Sequence, residues 1–348
     1  MGGIVRLLVT GGAGFIGSNF LRWVLSSCPD VSVLNFDKLT YAGNLENLAD
    51  LSSDLRYEFI RGDIADSDAV ASAFRRPLDA VIHFAAETHV DRSIEDSSPF
   101  LRTNVLGTQL LLDAARRHRL SRFLHISTDE VYGSAAPGQD FAEDARLAPS
   151  SPYAASKAAA DLLVCSYLHT YSFPAILLRC TNNYGPYQFP EKVIPLMIAN
   201  ALEEKPLPLY GDGLHERDWL FVSDFCRAIG LALDRGVPGE IYNVSTGVSR
   251  PNLRVVGTIL DALGKPRSLL QHVADRPGHD RRYSLDSTKI RRQLGWQPQV
   301  SFEEGVHRTI NWYRDNPSWL GRARSGEFRD YYERHYQRRA ATLGSIAR

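Results

Sequence analysis

Short apolar runs rich in β-branched residues recur along the chain at 4–10, 31–37, 57–61, 80–84, 123–127 and 175–180. Between them lie longer segments, 15–26, 67–74, 99–118, 152–169 and 192–202, in which apolar side chains fall three and four residues apart. The first pattern is that of buried strands, the second that of amphipathic helices. Strands joined through helices run parallel, because only a crossover returns the chain to start a second strand in the same direction. The expected fold is therefore α/β, a doubly wound parallel sheet with helices on both faces. Past residue 183 the rhythm changes, and glycine and proline clusters at Gly185-Pro186, 206–213, 235–239 and Arg276-Pro277-Gly278 cut the chain into short elements. We expect one domain over 1–183 and a smaller C-terminal α/β lobe over 184–348. Segments 222–233 and 241–244 again read as helix and strand, so 222–250 is expected to return to the first domain.

Composition narrows the class. The chain has 348 residues, 44% hydrophobic and 23% charged, which excludes disorder and collagen-like repeats. Its 40 basic and 40 acidic side chains cancel. A nucleic-acid partner is not expected, since phosphate binding calls for a basic excess. No window reaches the roughly 18 uninterrupted apolar residues of a membrane span. Cys28, Cys165, Cys180 and Cys226 are widely spaced without a C-x-x-C pair, so they read as small buried hydrophobes and no metal is expected. Residues 1–10 run straight into a strand with no basic leader or cleavage site, which predicts a cytoplasmic protein.

The first strand leads into Gly11-Gly12-Ala13-Gly14-Phe15-Ile16-Gly17, which satisfies G-x-G-x-x-G from Gly12 and precedes a helix. Glycines there allow a tight turn, close approach of backbone N–H groups to a pyrophosphate, and tight helix packing on the sheet. A second strand ends in Asp37, about 20 residues beyond Gly17, the spacing of a carboxylate that binds ribose hydroxyls. Strand, loop, helix, strand and acid together predict a Rossmann-type dinucleotide site. Asp37 would repel a 2′-phosphate, so NAD is the expected cofactor; Lys38 is the neighbouring cation that argues the other way.

Tyr153-Ala154-Ala155-Ser156-Lys157 sets a phenol and an ammonium one turn apart on the predicted helix 152–169. Bringing a phenol from about 10 to near 7 takes about 4 kcal/mol of differential stabilisation. Lys157 is expected to supply much of it. After a dinucleotide fingerprint, Tyr153 reads as the base of a hydroxyl oxidation.

At these residues the chain resembles the extended short-chain dehydrogenase/reductase superfamily and, within it, the dTDP-glucose 4,6-dehydratase family. The likeness is carried by FDKLTYAGNLENL at 36–48, AAETHVDRSI at 85–94, HISTDEVYG at 125–133, SPYAASKA at 151–158, NNYGPYQFPEKVIPLMI at 182–198, PLPLYGDG at 206–213, RDW at 217–219 and DRPGHDRRY at 275–283. It covers about residues 7–313. Thr128-Asp129-Glu130 separates a dehydratase from a simple epimerase, because elimination needs both a base for a carbon-bound proton and an acid for the departing hydroxyl. The resemblance implies that Tyr153, aided by Lys157 and Thr128, takes the C4 hydroxyl proton of dTDP-glucose while hydride passes to NAD. Glu130 then removes the C5 proton and Asp129 protonates the leaving C6 hydroxyl. Hydride returns to C6, giving a 4-keto-6-deoxy sugar for deoxysugar biosynthesis. The alternatives are another nucleotide-sugar dehydratase or epimerase using a different base, against which Asp129 and Glu130 favour dehydration, and a non-catalytic sensor of NAD or sugar nucleotide, against which Tyr153, Lys157, Asp129 and Glu130 all argue. For dTDP over a UDP- or GDP-sugar the argument is the resemblance at Lys192, Pro208 to Tyr210 and Arg217.

By the same resemblance, NAD would be held by Gly11, Gly14, Phe15, Ile16 and Gly17 in the turn, by Asp37, Lys38, Leu39 and Thr40 at the ribose, and by Asp63 and Ile64 near the adenine. Phe84, Ala85, Ala86, Glu87, Thr88, Thr103, Tyr153, Lys157 and Asn183 would continue the site along the crevice. Without the resemblance, Asp63 reads as an ordinary helix N-cap. Sugar-nucleotide contacts fall on Thr88, Thr128, Asn182, Glu191, Lys192, Pro208, Leu209, Tyr210, Arg217 and Asn252, and on Asp275, Arg276, Pro277, Gly278 and His279. His89 and His279 lack further ligands for a metal. Where many relatives carry Gly-Gly followed by Glu, this chain has Ser245-Thr246 and Ser249. Helices 99–118 and 152–169 are expected to pair between two subunits as a homodimer. The aromatic, arginine-rich tail with Phe328, Tyr331, Tyr332, Arg334 and Tyr336 is expected to form a terminal helix.

Overall fold

The computed structural model describes residues 5–325 and Tyr332. Six strands alternate with helices through the first half: β1 (Val5–Thr10), β2 (Val31–Asp37), β3 (Tyr57–Arg61), β4 (Ala80–His83), β5 (Arg122–Thr128) and β6 (Ala175–Cys180). Beyond them come β7 (Asn182–Tyr184), β8 (Leu207–Tyr210), β9 (Glu216–Phe221), β10 (Ile241–Val244), β11 (Ser249–Pro251) and β12 (Leu270–Val273). One seven-stranded sheet runs β10-β6-β5-β4-β1-β2-β3, with every pairing parallel. The chain thus leaves the large sheet after β6 and re-enters it at β10, beside β6.

Both faces of the sheet are covered, which explains why its strands are apolar throughout rather than alternating. Leu7 and Val9 of β1 join one core with Phe20, Leu21 and Val24 of helix Phe15–Ser27 and with Phe225 and Ile229 of helix Val222–Arg235. Leu8 between them points to the other core, with Leu111, Leu112 and Val164. A third core closes the smaller lobe, where helices Val193–Leu202, Asn252–Leu263 and Phe302–Asp315 bury Ile194, Met197, Val256, Ile259, Val306 and Ile310. That lobe carries the sheets β11-β9-β7 and β12-β8.

The expected single helix over 99–118 is interrupted. Ser98–Phe100 and Thr108–Arg117 are α-helical, but Leu101–Gly107 is wound as a π-helix. Wide turns of this kind collect at functional sites because they re-aim side chains. Here Asn104 clamps two walls of the crevice: its Nδ2 donates to the Ser156 hydroxyl (2.8 Å) and the Glu87 carbonyl (3.0 Å), and its Oδ1 accepts from the Glu87 N–H (2.9 Å). Val90–Glu95 and the 3-10 turn Leu45–Leu51 have no counterpart in the sequence pattern. Of the tail, Tyr332 is described, its hydroxyl accepting from Asn200 Nδ2 at 2.9 Å; Phe328, Tyr331, Arg334 and Tyr336 lie outside the described residues.

The turn after β1 is set by backbone proximity. A Cβ on Gly17 would sit 2.3 Å from the Gly11 carbonyl oxygen and 2.7 Å from Gly12 Cα, and neither can retreat. Gly17→Ala is expected to destabilise the fold by roughly 1–3 kcal/mol, the usual cost of an overpacked methyl. Chemical denaturation against the parent chain measures it.

Candidate active site

A long cavity runs over the C-terminal ends of the strands, beginning at the β1 turn and ending against Tyr153, Lys157 and Thr128-Asp129-Glu130. At its start helix Phe15–Ser27 has Gly14 as N-cap, with no side chain closing its first N–H groups. A Cβ on Gly14 would press on the Gly11 carbonyl oxygen at 3.3 Å, so the turn leaves little room for a side chain there. Uncapped N–H groups at a helix N-terminus suit a pyrophosphate. Asp37 accepts from the Ala13 and Leu39 N–H groups (2.9 and 2.8 Å), which fixes its carboxylate at the cavity wall. Lys38 is drawn onto Asp63 at 2.8 Å, so the cation that could have favoured a 2′-phosphate is already paired. The N-cap of helix Ser67–Ala73 is Asp66, not Asp63, which frees Asp63 for that pairing.

A second cavity opens from the smaller lobe and shares Thr88, Glu130, Asn182, Asn183, Glu191 and Lys192 with the first. Arg217, Arg276, His279, Tyr210, Pro208, Leu209 and Asn252 line it. Asn182 Oδ1, Asn252 Oδ1 and Arg276 Nε are buried there without a hydrogen-bond partner among the described residues. Buried polar atoms are nearly always paired, so this set fits a polar ligand that offers donors to the two amide oxygens and an acceptor to the guanidinium. The lobes are tied together across the junction. Tyr41, just past the Asp37 loop, donates to Glu191 Oε1 at 3.0 Å, and the Arg92 guanidinium lies 3.9 Å above its ring. Lys192 Nζ donates to the Thr88 carbonyl at 2.8 Å.

Glu130 stands where the two cavities meet, next to Asp129 at the end of β5. Burial, reinforced by the Glu130 charge, pushes the Asp129 carboxyl up to about 7. Glu130 is also raised by burial, with Arg276, Arg217 and Lys192 opposing. The pair is thus biased toward one protonated acid beside one carboxylate, the division elimination requires. Burial lowers Lys157 to about 8, and its ammonium donates to the Ile126 carbonyl at 2.7 Å. Tyr153 departs from expectation: burial, with Glu130 and Cys180 adding, holds its phenol well above 10, and the hydroxyl of Thr128 is what opposes this. Lys157 is occupied by a backbone carbonyl instead.

The model of the GDP-mannose 4,6 dehydratase family matches residues 8–309. A dTDP-glucose 4,6-dehydratase of Streptomyces niveus is 52% identical over 321 residues, covering 90% of this chain and 94% of its own length. The chain belongs to the dTDP-glucose 4,6-dehydratase family. Among solved structures, DesIV, a dTDP-glucose 4,6-dehydratase from Streptomyces venezuelae with NAD and TYD bound, is 51% identical, with a TM-score of 0.89 over 92% of this chain and 100% of that one. The enzyme of the same name from Bacillus anthracis, in complex with NAD, is 44% identical, with a TM-score of 0.87 over 92% and 99%.

Most residues carried over from this family do gather. Gly11, Gly14, Phe15, Ile16, Gly17, Asp37, Lys38, Thr40, Asp63, Ile64, Phe84 through Thr88, Thr103 and Asn183 all line the first cavity. Leu39 does not: its backbone is left-handed (φ 58°) and its side chain packs on the core, leaving only its N–H for Asp37. Asp275, Pro277 and Gly278 line neither cavity. Asp275 instead accepts from His279 (2.6 Å) and sits 3.2 Å from His215, while Gly278 turns at φ 63° against the Ser150 carbonyl. Thr128 faces the first cavity rather than the second. His279 does have companions of metal-ligand type, His215 and Asp275, with ligand atoms within 4.8 Å. Asp275 already accepts from His279 and lies 3.2 Å from His215, while burial, with Arg276 and Arg217 adding, depresses His279, and the two guanidinium groups oppose a cation. Sequence reasoning missed Asp91, Trp219 and Tyr283 in the second cavity, although Asp91 and Tyr283 lie inside the motifs 85–94 and 275–283.

Asp129 gives a stability signature. Its folded pKa lies above its unfolded one, so its favourable contribution is whole below pH 4 and lost as pH rises through about 7. Asp129→Asn should therefore match the parent at pH 4 and exceed it at pH 8 by roughly 1–4 kcal/mol. Denaturation curves at the two pH values decide it.

Proposed function

We propose that the protein converts dTDP-glucose to dTDP-4-keto-6-deoxyglucose and water, holding NAD in the first cavity and the sugar nucleotide in the second. The observation that carries the reading is the Asp129-Glu130 carboxyl pair, raised by burial and standing at the seam of the two cavities. Residues 1–183, with 222–250 returning to the sheet, hold the cofactor; the remainder holds the sugar nucleotide. Gly11 through Gly17 and Asp37 would anchor the pyrophosphate and ribose. When bound, NAD supplies the hydride acceptor for C4 and the hydride returned to C6.

The chain's own groups manage the protons. Tyr153 would receive the C4 hydroxyl proton as its phenolate, the form that the charges of Lys157 one turn on and of an oxidised nicotinamide favour, against the neutral phenol that burial alone favours. The ketone at C4 acidifies the C5 hydrogen, which Glu130 removes. Asp129, protonated near neutral pH, delivers its proton to the C6 hydroxyl as it leaves. Arg217 and Arg276 suit the diphosphate as planar, paired donors. The ring of Tyr210 offers a stacking surface for thymine.

A homodimer fits the same helices: Leu101, Leu106, Leu162 and Tyr171 are 42–60% exposed on segments 98–117 and 152–171. Such a patch is covered in a self-complementary pair. Four free thiols suit the reducing cytoplasm.

The reading is tested by incubating the purified protein with dTDP-glucose without added NAD and following the nucleotide by mass spectrometry and NMR. Loss of one water and a new C6 methyl group are expected. Reaction only with UDP- or GDP-sugars would overturn the thymine assignment. Glu130→Gln should retain bound NAD while turnover falls by roughly 10²–10⁴; near-normal turnover would remove Glu130 from the base role. Sedimentation should give a dimer that Leu162→Glu dissociates.

A further inference from the structure

Three side chains lead from the buried carboxyl of Glu130 to the surface. Tyr283 is 3% exposed, lines the second cavity, and its hydroxyl lies 3.5 Å from Glu130 Oε2. The same hydroxyl donates to Asp280 Oδ2 at 2.9 Å. Asp280 Oδ2 also accepts from the hydroxyl of Ser150, an exposed residue. Arg217 pins the line at two points, its guanidinium 4.1 Å above the Tyr283 ring and its Nη2 donating to the Asp280 carbonyl at 2.8 Å. Contacts such as the one between Tyr283 and Glu130 are commonly long until substrate closes the site.

We propose that Tyr283 and Asp280 form the proton relay that serves Glu130, carrying the C5 proton from it toward Ser150 and the surface and a proton back along the same line. This rests on the reading of Glu130 as the C5 base. The bookkeeping of protons closes. The C5–H bond breaks and its proton forms the Glu130 O–H, which donates to the Tyr283 oxygen. The Tyr283 proton moves to the Asp280 carboxylate, and Asp280 exchanges it with water near Ser150. A solvent-derived proton travels the same path in reverse to Glu130 and then to C5, with no net gain or loss. Asp129 takes no part, because its proton leaves with the C6 hydroxyl.

Tyr283 acts through Glu130 and is a positioning and relay residue. If its hydroxyl merely anchored the loop that ends in Tyr283, its removal would alter affinity or stability but not the origin of the C5 hydrogen. The isotope at C5 separates the two roles. dTDP-glucose carrying ordinary hydrogen at C5 is converted in D2O, stopped at low conversion before the ketone exchanges in bulk solvent, and the product is read by NMR and mass spectrometry. The parent chain is expected to place deuterium at C5. In Tyr283→Phe and Asp280→Asn, the fraction of product retaining the original C5 hydrogen should rise several-fold, whatever the change in rate. Deuterium at the parent level in both variants would overturn the relay, as would full retention of hydrogen by the parent chain. If Tyr283→Phe does not fold, as judged by circular dichroism, Asp280→Asn decides alone. Failure of the parent chain to form a C6 methyl group would overturn the elimination reading itself, and normal exchange by Glu130→Gln would overturn Glu130 as the base, each distinguishable from loss of the relay.

Discussion

Parallel pairing is the constraint on which the rest depends. Every strand of the large sheet ends on the same side, and the strand order reverses between β1 and β4. A crevice opens wherever neighbouring crossovers leave in opposite directions. The turn after β1, Phe84 after β4 and the Thr128 end of β5 all border that opening. The chemistry is distributed over residues 11 to 183 in sequence but collected along one line in space, because hydrogen-bonded register leaves the strand ends no other place to go.

Within that crevice loss of water is the largest influence on the groups around the carboxyl pair. It raises Asp129, Glu130 and Tyr153 and lowers Lys157, so each drifts toward its neutral form. Neutral acids and weakly basic amines are reactive near pH 7, and a fully solvated site would hold none of them there. Arg217, Arg276 and Lys192 counter the drift at Glu130 in particular, which distinguishes two adjacent carboxyls that differ by one methylene. The arrangement also explains why Asp161 behind Lys157 remains ionised, since Arg179 donates to it at 2.8 Å while His125 stands alongside.

Much of this was legible in the sequence. Strands at 31–37, 57–61, 175–180 and 241–244 fall where β-branched runs begin and end, and helix Pro152–Tyr171 extends the expected span by two residues. Those signals are local: periodicity and end-capping reside in neighbouring residues. The π-wound stretch at Leu101–Gly107 was not legible, because the bonds that accompany it, from Asn104 to Glu87 and Ser156, reach partners outside the segment. The backbone contact of Lys157 was not legible for a similar reason. Helical spacing places its side chain near Tyr153, but only the fold supplies the Ile126 carbonyl that takes its proton donor. Leu39 and Gly278 belong to binding motifs by position, yet their backbone conformations serve the turn itself.

The hydrogen bond from Tyr41 to Glu191 reaches further than its 3.0 Å. It joins the loop following Asp37 to the segment that carries Lys192, one from each half of the molecule. The contact sets a phenol from one half against a buried carboxylate from the other, so each half supplies the partner that the other's polar group needs while the two are together. The halves are thus joined at more than one point beside the cavity, and a homologue lacking the phenol at position 41 would keep the tie from Lys192 to the Thr88 carbonyl while losing this one.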